Sequence, residues 1–125
     1  MKKIGPWEVI RVGDTAGKTV VFFHGYGADA QDLAGLAPAI RVKAPVSWVF
    51  PNGPLEVPIG PRLSGRAWSE IDMEAIQQAM GRGEHRDLSG PAPRGFEQAL
   101  DQGHEFLRAL GVPIDQVILG GFSQG

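Results

Sequence analysis

Apolar residues fall along this chain in two rhythms, short unbroken runs and one longer stretch spaced at three and four residues. Trp7 to Val12 (Trp-Glu-Val-Ile-Arg-Val) predicts a strand. The turn chemistry of Gly13-Asp14 to Ala16-Gly17 follows it, then the continuous run Thr19-Val20-Val21-Phe22-Phe23. An unbroken run suits a strand covered on both faces, as in a parallel sheet with helices on either side. Together the two runs predict a hairpin leading into the sheet. Asp29 can cap a helix over residues 30–40, with Leu33, Leu36, Ala37 and Ile40 on one face and Pro38 shortening or bending the last turn. Ser47-Trp48-Val49-Phe50 is the next strand. Pro51-Asn52-Gly53-Pro54 stops it, because proline lacks a ladder donor and Asn-Gly accepts turn geometry.

Residues 55–92 are broken by Pro58 and Pro61 and by five glycines. They read as long loops around one short helix, Ile71 to Met80. Long loops inside a domain are often binding loops or lids. Helical spacing returns from Pro93 to Leu110, where Phe96, Ala99, Leu100, Phe106, Leu107 and Leu110 recur on one side. Pro93 suits the start of this helix, Gly111 its C-terminal cap and Pro113 the stop beyond. A strand from Gln116 to Leu119 closes the series. Strand-helix-strand-helix-strand order predicts an α/β sheet, with no internal repeat, linker or second domain.

Composition changes the picture mainly by exclusion. A chain that is 42% hydrophobic and 21% charged is globular rather than disordered. Its net charge is −2 and no basic run occurs, so no nucleic-acid partner is expected. The lack of cysteine removes disulfides, thiolate zinc sites and a cysteine nucleophile. Met1-Lys2-Lys3 leads into no apolar h-region, and no run approaches membrane-spanning length, so no integral membrane segment is expected and a cytoplasmic location is. His85 lies in a charged loop and His104 flanks the apolar side of its helix. Neither has neighbours at metal-ligand spacing, so no metal is expected.

The chemistry concentrates at Gly121-Phe122-Ser123-Gln124-Gly125. A β-branched run delivering its last residues into G-x-S-x-G reads as a strand entering a nucleophile elbow. There a strained turn exposes the serine hydroxyl, and the flanking glycines let backbones pass closely. Serine needs a base to take its proton and donors to stabilise the oxyanion that forms. Ser123 is the candidate nucleophile and the Gln124 amide one candidate donor. A second should come from the loop after an earlier strand, and His24-Gly25-Tyr26-Gly27 follows such a strand. The Tyr26 amide is the candidate there. His24 itself could neighbour Ser123, but the plainer reading is that it turns inward and fixes the loop. Trp48 reads as core, and Trp68 as core or a wall of the substrate cleft.

Four segments carry a family resemblance: Phe22 to Asp29, Phe50 to Pro54, Gly65-Arg66-Ala67-Trp68, and Val117 to Gly125. In this order they resemble the phospholipase/carboxylesterase family of small α/β-hydrolases, which includes acyl-protein thioesterases. The resemblance implies an α/β-hydrolase fold with a mostly parallel sheet, of which this is the N-terminal part. It implies a serine esterase or thioesterase without a cofactor, acting on a small-molecule, lipid or acyl-protein ester. It also implies Ser123 as nucleophile and the Tyr26 and Gln124 amides as oxyanion hole. Ser69 and Glu70 depart from the aromatic and Asp that the family has after its tryptophan. The family order is Ser, Asp, His, so both triad partners are expected from a downstream segment or a complementary chain. Residues 1–125 alone are then expected to be inactive and not independently stable. A non-catalytic α/β scaffold or interaction module is the alternative.

Overall fold

A computed structural model of the chain describes residues 1–13, 17–40, 45–71, 73–83 and 94–125. Seven strands and three α-helices are found among them: β1 (Lys2–Ile4), β2 (Trp7–Gly13), β3 (Lys18–Phe23), α1 (Ala30–Ala34), β4 (Val46–Pro51), β5 (Leu55–Gly60), β6 (Leu63–Ala67), α2 (Met73–Gly81), α3 (Phe96–Leu110) and β7 (Val117–Gly121). Five strands form one sheet in the order β1-β2-β4-β3-β7, and β5 and β6 form a separate ribbon. β4, β3 and β7 run parallel, while β1 and β2 add an antiparallel margin.

Period-two alternation accounts for the layers. Val9, Val21 and Val49 point to one side, where Ile4, Trp7, Trp68 and Phe106 of α3 complete a core. Val20, Trp48 and Phe50 point to the other and meet Ala30 and Ala37. Both faces of β3 and β4 are covered, which is why their sequences are apolar without a break.

Three expectations are corrected. β2 and β3 are not a hairpin, because β4 lies between them and pairs with both. Crossing two strand spacings takes about 9.5 Å, and at about 3.3 Å per residue a short connection can step over a strand. Gly13 makes room for that arrangement: a Cβ on it would sit 2.7 Å from the Val46 carbonyl oxygen. The helix over 30–40 is also shorter than predicted. Asp29 caps it as expected, in a reciprocal pair with Asp32 (2.9 and 3.1 Å). α1 nevertheless stops at Ala34, with Gly35 as its C-cap, and a 3₁₀ turn follows over Ala37–Ala39. Pro38 cannot donate the amide that a continuing helix would need. Leu36 and Ile40 are therefore exposed rather than on the buried face.

The third correction concerns residues 55–67, which form an antiparallel ribbon and not loops. β5 has no second strand beside it among the described residues, so Pro58 is tolerated at its edge, and the register shifts between Pro58 and Gly60. α2 matches the predicted short helix. α3 begins at Phe96 after Gly95, whose φ is +87°, and ends at Gly111 with φ +70° as its cap chemistry predicts. Pro93, the expected start, lies outside the described residues, as does His85. No helix among the described residues is long and apolar enough to cross a membrane.

Candidate active site

β3 and β7 pair in parallel register, with Phe23 opposite Gly121, so the loops after both strands leave the sheet side by side. The Phe122 amide donates to the Phe23 carbonyl (3.1 Å), which carries the pairing one residue past the strand. The chain then turns sharply. Ser123 holds φ at +55°, a left-handed conformation that side chains rarely adopt. Such a residue stores on the order of 1–3 kcal/mol of strain. The Gly125 amide closes the turn on the Phe122 carbonyl (3.0 Å). Both flanking glycines are sterically required. A Cβ on Gly121 would overlap Gly125, and one on Gly125 would overlap the Phe23 carbonyl. The result is an exposed Ser123 at the tip of a strained turn, as the G-x-S-x-G spacing predicts.

The neighbouring loop is packed against this tip. A Cβ on Gly25 would stand 3.3 Å from the Ser123 Cβ and 3.3 Å from the Phe122 carbonyl oxygen, so only glycine fits easily. The Gly27 amide donates to Arg66 O (2.9 Å) and the Ala28 amide to Gly25 O (3.2 Å). Among the described residues the Tyr26 and Gln124 amides have no such acceptor. Gly25, Tyr26, Leu33, Phe122 and Ser123 line a cavity of about 400 Å³ beside the tip.

His24 is fully buried and both its ring nitrogens are engaged. The Gly53 amide can only donate, so Nε2 must accept from it (2.9 Å). Nδ1 must then carry the proton and donate to the Gly25 carbonyl (2.7 Å). Burial lowers the pKa of the ring, more than the Gly25 hydrogen bond and the nearby Asp29 and Asp32 raise it; Arg66 lowers it further. A neutral, doubly committed imidazole has no lone pair left for Ser123. His24 fixes the loop, and the inward reading of it holds.

A profile of the family described as Phospholipase/Carboxylesterase matches residues 5–125. The chain belongs to that family. Acyl-protein thioesterase 1 of Schizosaccharomyces pombe is 31% identical over 111 residues, covering 86% of this chain and 45% of the relative. Acyl-protein thioesterase 1 of Candida albicans is 27% identical over 122 residues, covering 90% and 48%. The chain thus spans about half the length of the curated relatives it matches. Family membership and the largely parallel sheet between two helical layers make this an α/β-hydrolase fold.

Of the predicted site residues in this family member, Ser123, Gln124 and Tyr26 stand on two adjoining turns. Trp68 is core, buried against Trp7 and Phe23, and its indole N–H donates to the His24 carbonyl (2.8 Å). His104 is exposed on α3. Asn52-Gly53 does more than turn the chain. The Asn52 side chain accepts from the Ala30 amide (2.7 Å), and Gly53 is needed because a Cβ would lie 2.5 Å from Ala67 O. Sequence reasoning missed the side chains of Asn52, Ser69 and Gln124. Their partners lie more than twenty residues away, beyond the reach of any local pattern.

No group of three or more His, Cys, Asp or Glu is placed to hold a metal ion among the described residues.

Proposed function

We propose that this chain supplies the nucleophile and oxyanion hole of a serine hydrolase that cleaves carboxylic esters or thioesters. The observation that carries the reading is the left-handed Ser123 held against the Gly25–Tyr26 loop. Ser123 Oγ attacks the substrate carbonyl carbon while a general base takes its proton. The carbonyl oxygen becomes an oxyanion, stabilised by the Tyr26 and Gln124 amides. Collapse expels the alcohol or thiol and leaves an acyl-enzyme, which water then hydrolyses. The names of the curated relatives support a thioester as substrate, and the description of the family supports a carboxylic ester.

The base is not His24, whose ring is already spent. We assign base and orienting acid to residues outside this sequence, in a downstream segment or a second chain. Two observations support this: the chain matches about half of its relatives' length, and β7 has a bare outer edge among the described residues.

A fluorophosphonate tests the reading in the intact protein. Mass spectrometry is expected to find the adduct on Ser123. An adduct elsewhere overturns the assignment. A protein that neither labels nor turns over an ester is the non-catalytic scaffold instead.

A further inference from the structure

The two amides assigned to the oxyanion hole sit on different loops, and their separation decides whether both reach one oxygen. We infer that the dipeptide Trp68–Ser69, gripped by the Gln124 side chain, is the strut that sets this separation, an inference that rests on the hydrolase reading above.

The connections run to both loops. On one side the Trp68 indole N–H donates to the His24 carbonyl (2.8 Å), two residues before Tyr26. On the other, the Trp68 amide donates to Gln124 Oε1 (3.0 Å). Gln124 Nε2 returns two bonds, to the Ser69 carbonyl (2.8 Å) and to Ser69 Oγ (3.1 Å). A main-chain amide can only donate and a main-chain carbonyl only accept, so these bonds fix the orientation of the Gln124 carboxamide. The residue that presents the oxyanion amide is thereby tied down through its own side chain.

The strut is itself packed and hydrogen-bonded in place. Trp68 is buried, its ring 4.8 Å from Trp7, 5.3 Å from Phe23 and 5.0 Å from His24. Ser69 is 5% exposed, and the Glu70 amide is anchored on Arg94 O (3.0 Å) ahead of α3. Ser69 stands where the resemblance leads one to expect an aromatic residue. Its hydroxyl accepts a bond from Gln124 that an unsubstituted aromatic ring could not. Ser69 and the Gln124 side chain are positioning residues: they act on the reaction through the Gln124 amide.

The test compares Gln124→Met, which keeps the length of the side chain and removes its hydrogen bonds, with Ser69→Ala, which removes the hydroxyl alone. Both are made in the intact protein, and folding is checked by circular dichroism and urea unfolding. Aryl ester kinetics are recorded with inhibition by an aryl trifluoromethyl ketone, whose serine adduct carries an oxyanion. A donor displaced by about 1 Å can cost on the order of 10²-fold. Gln124→Met is expected to lower kcat by about 10- to 100-fold with KM within about twofold, and to weaken the ketone in step with kcat/KM. Ser69→Ala should do the same to a smaller degree, and it carries the test alone if Gln124→Met does not fold. Values of kcat within twofold of wild type in the folded variants overturn the inference. So does a parallel loss in KM and kcat that spares ketone affinity relative to substrate, which would mark a merely structural contact. A wild type that neither labels nor turns over overturns the hydrolase reading, and this inference with it.

Discussion

β3 and β7 lie side by side, run in the same direction and end in glycine-bounded turns, yet their surroundings differ. Thr19, Val20 and Val21 of β3 are buried, whereas Ile118 and Leu119 of β7 are 47% and 54% exposed. β3 has a strand on each edge; β7 has one on a single edge among the described residues. The turns differ in the same way. His24 is buried and hydrogen-bonded at both ring nitrogens, whereas Phe122 and Ser123 stand exposed. Hydropathy therefore states what a strand requires, and its neighbours decide whether the requirement is met. The loop after β3 is held in place by this chain's own residues. The elbow and β7 carry an apolar flank that stands exposed among the described residues.

The comparison breaks most readily at the elbow. Ser123→Ala in the intact protein should lower kcat for an aryl ester by about 10⁶-fold, the scale seen when a serine nucleophile is removed. Steady-state turnover within tenfold of wild type would remove Ser123 from the chemistry. On the β3 side, Tyr26→Pro deletes one main-chain donor and should lower kcat by about 10²–10³-fold in a variant shown to fold by circular dichroism. An unchanged kcat would exclude the Tyr26 amide.

Stability sharpens the contrast between the strands. Leu119→Ala should cost about 2–5 kcal/mol in urea unfolding of the intact protein, the range for a buried leucine. A cost under about 0.5 kcal/mol would mean that the exposed flank of β7 faces solvent there too. Residues 1–125 expressed alone should self-associate through that flank and the open strand edge, with no ester turnover. Sedimentation would decide, and a monomer with one cooperative transition would contradict it.

The smallest effect concerns His24. Its folded pKa lies below the ordinary value of 6.5, so the unfolded chain takes up a proton that the folded site refuses. Its contribution is full above pH 6.5 and declines as pH falls from there toward the folded pKa. His24→Asn should flatten that slope. It should also cost about 1–3 kcal/mol at neutral pH if it leaves the Gly53 amide unpaired. Urea midpoints across pH 5 to 8 would show both, and an unaltered slope would assign the acid sensitivity elsewhere.

Much of this is legible in the sequence because it is local. The elbow is announced by two glycines that the backbone requires within five residues. The Asp29 cap and the Gly111 stop follow from the residues beside them. The ribbon of β5 and β6 was hidden because its prolines are breakers in a central strand and harmless at a free edge. The hairpin expected from β2 and β3 failed for a related reason. Short connections favour hairpins, but nothing within them reveals that a third strand will insert.

Local residues were enough for the strands β2, β3, β4 and β7, the Asp29 cap, the Gly111 end of α3, the strained serine turn and the family. Strand order was decided only in three dimensions, as were the tautomer of His24 and the grip of Gln124 on Trp68–Ser69. The physical reason is range. Propensity, capping and turn strain act among residues a few positions apart. A ladder partner or a buried polar contact is chosen among groups 29 or 56 residues distant, as for His24 with Gly53 and Gln124 with Trp68. Such contacts exist only once the sheet has brought the segments together.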